Sequence, residues 1–289
     1  MNIVYYTSGI TGIGRLIIGI AIGNALARKA VKCNYTIVHS SRMGHVADDF
    51  NNIKVPIENE VELSKNNFRK ATLYKTLIRL KPDILIVNHQ WFMLYNFIND
   101  LQCKKLYLSD YAYEKHFKIS LPDGEMIFNP EHYDRVLAIE PFSRAMAMEQ
   151  INPLILRNRD EIFSREKALQ RLGLDGSKKI ALYSFSGNPG EFERHLQKYS
   201  FLENEYDVVR LSLYNNFLYP IVDYYNAFDI IVSGGGYNNV WSSVFFQKQS
   251  IFEPTELKFS DHETRINLSR DFHFDVNGAD QLADIIMGL

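Results

Sequence analysis

Two cysteines, Cys33 and Cys103, are too few in 289 residues for a disulfide framework or a cysteine-based zinc site. Each reads as a small apolar residue in or near a strand. The longest apolar stretch near the N-terminus, Leu16 to Ala21, is interrupted by Gly19 and ends near Asn24 and Arg28, far short of the roughly 20 residues that span a bilayer. The first residues lack a basic leader and run straight into a strand, so no signal peptide is expected and a reducing cytoplasm is the predicted compartment. Neither sign of charge is in excess: 32 basic residues face 34 acidic ones, and a net charge of −2 implies no pull toward nucleic acid. No cluster of carboxylates stands at ligand spacing, so neither a bound metal nor another cofactor is expected. No internal repeat or low-complexity linker divides the chain.

What is present is an α/β pattern. A hydrophobic content of 46% is ample for two cores, and short β-rich runs alternate with longer helical ones, as in parallel sheets joined by crossover helices. The predicted strands of the first half are Ile3 to Tyr6, Tyr35 to His39, Ile53 to Ile57, Ile84 to Asn88, Lys105 to Leu108 and Arg135 to Ile139, with helices over Gly14 to Ala30, Ser64 to Arg79 and Trp91 to Asp100. Ile151 to Arg157 reads as a last strand and Arg159 to Leu172 as a helix. The second half has strands at Ile180 to Tyr183, Tyr206 to Leu211, Ile230 to Ser233 and Gln249 to Glu253, and a closing helix over Ala279 to Met287. The boundary falls near residue 155, giving an N-terminal Rossmann-like lobe over 1–155 and a C-terminal one over 156–289, with a ligand cleft between them at the carboxyl ends of the strands.

Three glycine-rich turns sit where a strand meets a helix. The most informative is Ser233-Gly234-Gly235-Gly236-Tyr237-Asn238, directly after Phe228 to Val232 and before the helical stretch from Asn239. Without Cβ atoms its backbone can take positive φ angles and let a ligand approach, and amides at the following helix start favour an anion such as a diphosphate. The second is Thr7-Ser8-Gly9-Ile10-Thr11-Gly12-Ile13-Gly14-Arg15, and the third is Ser184-Phe185-Ser186-Gly187-Asn188-Pro189-Gly190.

Gly12-Ile13-Gly14-Arg15, the junction Ile155 to Glu161 with Ser164 to Ala168 and Leu172-Gly173-Leu174, and Gly234 to Asn238 together resemble the GT-B nucleotide-sugar glycosyltransferases, most nearly their MurG-like branch. The resemblance implies an acceptor-binding first lobe, a donor-binding second lobe, and a metal-independent, inverting transfer from a nucleotide-sugar donor. It assigns Gly12, Gly14, Ser186, Gly187 and Gly190 to the donor cleft. Gly234, Gly235, Gly236, Tyr237, Asn238 and Asn239 fall at the diphosphate, and Leu211 to Tyr214, Leu213 included, at the nucleobase. Glu253 and Thr255 fall near ribose and sugar, and Asp261, His262 and Glu263 near the transferred sugar. Two positions depart from the pattern. Arg15 replaces the histidine common after the first glycines; arginine stays protonated and cannot act as a base, but it can hold a phosphate or carboxylate. Ser242 stands where a ribose-binding glutamate is usual.

A base that deprotonates an acceptor hydroxyl should project from a strand end of the first lobe. Asp110, after Leu106 to Ser109, and His89, after Ile86 to Asn88, both fit, with Asp110 the favoured base. Trp91 and Trp241 read as core residues. Lys65, Arg69, Lys70, Lys75 and Arg79 form a basic face that is either solvated or turned toward anionic lipid or a phosphorylated acceptor, which allows peripheral membrane contact. The predicted activity is transfer of a sugar from a nucleoside diphosphate sugar to a hydroxyl acceptor, whether glycan, lipid-linked or small molecule. A hydrolase of the same fold and a non-catalytic nucleotide-sugar-binding subunit are the alternatives, and no oligomeric state is specified by the pattern.

Overall fold

A computed structural model describes residues 1–8, 13–59, 61–110, 117–121, 124–141, 148–185, 189–212, 216–255 and 262–289. The chain forms two compact units, Met1–Leu154 with Gly278–Leu289, and Ile155–Asn277.

In the first unit the strands are β1 (Asn2–Thr7), β2 (Asn34–His39), β3 (Asn51–Lys54), β4 (Ile84–Asn88), β5 (Lys104–Ser109), the hairpin β6 (Lys118–Leu121) and β7 (Gly124–Ile127), β8 (Arg135–Ala138) and β9 (Glu149–Gln150). Seven of them make one parallel sheet in the order β3-β2-β1-β4-β5-β8-β9. The strand order reverses between β1 and β4, which is the Rossmann switch point. Apolar runs such as Ile84 to Val87 are buried throughout, as strands covered on both faces must be.

Three helices of this unit are α1 (Gly14–Arg28), α2 (Thr72–Leu80) and the single turn α3 (Trp91–Leu94). Helix α1 lies close on the sheet. A Cβ at Gly19 would stand 2.6 Å from the Tyr5 ring, and the Tyr5 and Tyr35 phenols donate to the Arg15 and Gly19 carbonyls, each at 2.6 Å. Helix α2 starts at Thr72 because the buried Glu58 carboxylate, arriving from an earlier loop, accepts the Thr72 and Leu73 amides.

The second unit contains α4 (Arg165–Leu172), β10 (Lys179–Phe185), α5 (Pro189–Lys198), β11 (Tyr206–Ser212), β12 (Ile230–Gly234), α6 (Tyr237–Phe245), β13 (Ser250–Glu253) and α7 (His262–Ser269). Its four strands are parallel in the order β11-β10-β12-β13, with a switch point between β10 and β12. Ser164 caps α4 through the Lys167 amide, and Gly173 ends it at φ 70°. The last helix, α8 (Gly278–Met287), belongs to the first unit, where Arg28–Asp280 (2.6 Å) and Lys29–Asp284 (2.8 Å) ion pairs tie it to the end of α1.

The architecture is that of two Rossmann-like sheets, and most predicted strands are present. Several local readings need correction. Ile53 to Ile57 is replaced by β3, which ends at Lys54. The helix predicted over Ser64 to Arg79 is turns and a short 3-10 segment, Phe68–Lys70, before α2, because the Glu58 cap sits at Thr72. Trp91 to Asp100 is one α-turn and a 3-10 turn. Ile151 to Arg157 joins no sheet; the Ile155 amide donates instead to the buried Asn277 side chain at 2.9 Å. Arg159 to Leu172 becomes helical only at Arg165. The β6–β7 hairpin and the helix over His262–Ser269 were not foreseen.

Candidate functional site

In the first unit buried polar side chains collect at the carboxyl ends of neighbouring strands. Thr7 and Ser8 end β1, Ser40 and Ser41 follow β2, Asn88, His89 and Gln90 follow through from β4, Ser109 and Asp110 from β5, and Glu140 comes two residues after β8; all are buried. Ser8 and Ser40 share a 2.9 Å hydrogen bond. Burying so many polar groups at one edge of a sheet is costly unless they are satisfied or used. The side-chain oxygens Asn88 Oδ1 and Asp110 Oδ1 are buried and accept no hydrogen bond among the described residues.

His89 and Asp110, predicted as competing candidates, are brought together here. His89 Nδ1 lies 3.5 Å from Asp110 Oδ1, and the residues are only 6% and 7% exposed. Neighbouring strands place them, since Asn88 pairs with Leu108 and the chain leaves both strands at the same level. His89 also has φ +62°, in the left-handed region that non-glycine residues seldom enter. Such a backbone costs on the order of 1–3 kcal/mol and persists only where surrounding contacts enforce it. A carboxylate beside an imidazole fixes the ring's orientation and stabilises the imidazolium formed when the ring takes a proton.

Arg15 lies in the first turn of α1, half-buried. No acid occupies the first turn of this helix, so no carboxylate within the helix offsets its positive end. Gly14 opens the helix; Gly12 lies outside the described residues.

In the second unit the glycine turn sits at the switch point, leading from β12 into α6 with Gly236 as the helix N-cap. The reason for its glycines differs from the predicted one. None of the three has a positive φ; Gly236 is extended at φ −68°, ψ 152°. Gly235 is glycine because a Cβ there would meet Ile266 Cδ1 at 2.8 Å and His262 Cβ at 3.0 Å on α7. Its amide donates to the Glu253 carbonyl at 2.8 Å, and its carbonyl accepts from the buried Arg265 guanidinium at 3.1 Å. Gly234 and Gly236, by contrast, would direct a Cβ into open space. Among the described residues, only these two of the three stand beside open space.

The other predicted donor residues are spread along this edge. Tyr237 is buried and Asn238 and Asn239 half-buried in the first turn of α6, and the Asn239 side-chain Nδ2 donates to the Gly234 carbonyl at 3.3 Å. The Glu253 carboxylate, at the end of β13, binds Lys198 at 2.5 Å and the Tyr199 hydroxyl. Burial works to raise its pKa, but these hydrogen bonds and the Lys198 charge outweigh it and hold the group below the usual carboxylate range. His262 is buried, and its Nδ1 accepts the Thr255 amide at 3.1 Å. Glu263 and Gly190 are exposed on α7 and α5. Ser186, Gly187, Leu213 and Asp261 lie outside the described residues. Trp91 and Trp241 are core residues, 3% and 0% exposed.

Sequence reasoning passed over Glu140, Tyr107 and the role of Arg265 behind the glycine turn. Glu140 had a readable signal: an acid after the apolar run Val136 to Ile139, the same pattern that singled out Asp110. Among the described residues no group of three or more histidine, cysteine, aspartate or glutamate side chains could hold a metal ion, and no helix is long and apolar enough to cross a membrane.

No family model matches the chain, and no curated protein matches it in sequence. Solved structures match it in fold. The spinosyn forosaminyltransferase SpnP superposes with a TM-score of 0.62 at 11% identity, over 99% of this chain and 90% of that one. The Streptomyces sp. SF2575 glycosyltransferase SsfS6, complexed with thymidine diphosphate, gives 0.61 at 12% identity over 100% and 96%. MurG of Acinetobacter baumannii gives 0.54 at 12% identity over 99% and 90%. The chain therefore has the two-unit Rossmann-like fold of these GT-B glycosyltransferases from end to end.

Proposed function

We propose that the protein is a glycosyltransferase that moves a sugar from a nucleoside diphosphate sugar to a hydroxyl acceptor, inverting the anomeric carbon and using no metal. The observation that carries this reading is the buried His89–Asp110 pair at the strand ends of the first unit, in a chain whose whole length follows a glycosyltransferase fold. In this reading the first unit takes the acceptor and the second takes the donor. The acceptor hydroxyl loses its proton to the His89–Asp110 pair as its oxygen bonds to the anomeric carbon. The bond from that carbon to the diphosphate oxygen breaks on the opposite side, and the nucleoside diphosphate leaves with the electron pair. Its charge is met in the second unit by the start of α6, whose first turn holds no acid, beside Gly234 and Gly236.

Thymidine diphosphate is the first nucleotide to test, because SsfS6 and the spinosyn rhamnosyltransferase SpnG were crystallised with it. The reading also includes a cytoplasmic protein that touches anionic membranes peripherally. Lys65, Arg69, Lys70, Lys75 and Arg79 are all exposed, and the sequence from 65 to 81 contains no acid. A thermal-shift panel of nucleoside diphosphates and their sugars tests the donor site: a ligand at a hundred times its dissociation constant adds about 2.7 kcal/mol of stability. Stabilisation by at least one diphosphate supports the assignment, and no response to any of them at millimolar concentration would remove it.

A further inference from the structure

The backbone around His89 is built as a clamp. The Gln90 amide donates to the Asn88 carbonyl at 2.7 Å, closing a γ-turn centred on His89, whose φ of +62° is of the rare, strained hand. The Trp91 amide then donates to the His89 carbonyl at 3.0 Å, over Gln90 at φ −86°, ψ 44°, a turn of the common hand. The His89 amide donates across to the Leu108 carbonyl of β5 at 3.0 Å. Those contacts are all backbone. A side chain also reaches the turn: the Tyr107 hydroxyl donates to the His89 carbonyl at 3.3 Å. Tyr107 is completely buried, and its ring is held by Phe128 (centroids 4.6 Å apart), Tyr133 (5.3 Å) and Phe117 (6.4 Å).

A phenol buried in an aromatic cluster usually finds a hydrogen-bond partner. Here the partner is the carbonyl of the one residue on β4's exit whose backbone is strained. We propose that Tyr107 is a positioning residue, whose hydroxyl locks His89 in its left-handed turn and so keeps the imidazole against Asp110. This rests on the reading of His89 and Asp110 as the base. The strain is placed where a side chain must be aimed, and the ring cluster supplies the rigid support that a strained turn requires.

Two experiments on the full chain test this. Tyr107→Phe keeps the ring and deletes only the hydroxyl. In ring-labelled protein, the His89 imidazole resonances and their pH titration should move in Tyr107→Phe while the other histidines stay in place. With a donor and acceptor in hand, kcat should fall about tenfold with KM within twofold, and the acid limb of the pH profile should shift. An unchanged His89 titration in Tyr107→Phe overturns the proposal, whatever the protein's activity. Absence of turnover in wild type would remove the transferase reading but leave the resonance result decisive. The strain itself is read by comparing His89→Gly with His89→Ala: both lose the imidazole, and a left-handed turn predicts that the glycine variant melts at the higher temperature. The reverse order, normal for an ordinary strand end, would contradict a strained turn.

Discussion

If His89 and Asp110 act as one base, removing both should harm turnover no more than removing the worse of the two. The pair is separated by 3.5 Å between Nδ1 and Oδ1 in a buried setting. Two unit charges about 4 Å apart interact by about 4 kcal/mol at the effective dielectric of a protein site. That is the scale on which Asp110 favours a protonated His89 in the transition state, and it corresponds to roughly three orders of magnitude in rate. Asp110→Asn, which keeps the shape and loses the charge, should therefore lower kcat by about 10²- to 10⁴-fold, the range for loss of general-base catalysis. His89→Asn should fall in the same range, and the double variant should lie within a few-fold of the weaker single one, as for residues that act as a unit. The assay is release of nucleoside diphosphate in the presence of acceptor, with donor affinity measured by calorimetry and folding by circular dichroism. Donor affinity should stay within a few-fold of wild type. Independent losses that multiply in the double variant, or an Asp110→Asn enzyme that keeps most of its turnover, would refute the paired-base reasoning.

Other consequences are as specific. Gly235→Ala forces a Cβ against Ile266 and His262 and should destabilise the second unit by about 1–3 kcal/mol, whereas Gly236→Val, directed into open space, should melt near wild type yet lose at least tenfold in nucleoside diphosphate affinity by calorimetry. Arg15→Ala should lower kcat/KM at least tenfold, about 1.4 kcal/mol, and wild-type kinetics would reduce this turn to a structural one. Burial holds His39 below its ordinary pKa of 6.5, and its Nδ1 accepts the Ser41 amide, so the neutral ring is the folded form. The unfolded chain binds the proton more readily. The contribution of His39 to stability is therefore complete above pH 6.5 and lost as the pH falls toward the lower folded value. Urea melts of wild type and His39→Asn at pH 7 and pH 5 should show a smaller acid-side loss in the variant.

Much of the fold was legible because buried parallel strands are continuous apolar runs, and Ile84 to Val87 or Ile230 to Val232 can be read without any tertiary information. What followed such a run was also legible: His89 and Asp110 are polar residues immediately beyond apolar strands. Their pairing was not, because it depends on β4 and β5 being neighbours in register, a long-range fact that no local pattern carries. The glycine triplet was legible, but the positive φ angles expected of it are absent from all three positions. Gly235 is selected by the close approach of α7, more than 25 residues later in the chain, and only Gly234 and Gly236 leave open space. The start of α2 was misplaced because its cap, Glu58, lies 14 residues before Thr72 instead of next to it. The β6–β7 hairpin did carry a signal, Pro122-Asp123-Gly124 between short alternating runs, and it was overlooked because α/β alternation dominates its surroundings.

Transfer of a sugar from a nucleoside diphosphate carrier to a hydroxyl is the activity to be measured. The most direct measurement incubates the purified protein with a set of thymidine and uridine diphosphate sugars, with and without a panel of glycan, lipid-linked and small-molecule alcohol acceptors, and follows both the released diphosphate and the mass of the acceptor. A transferase gives acceptor-dependent release, an acceptor heavier by one sugar residue, and loss of both signals in His89→Asn. Release that is the same without acceptor, or donor binding with no new glycoside on any acceptor, would contradict the transferase reading.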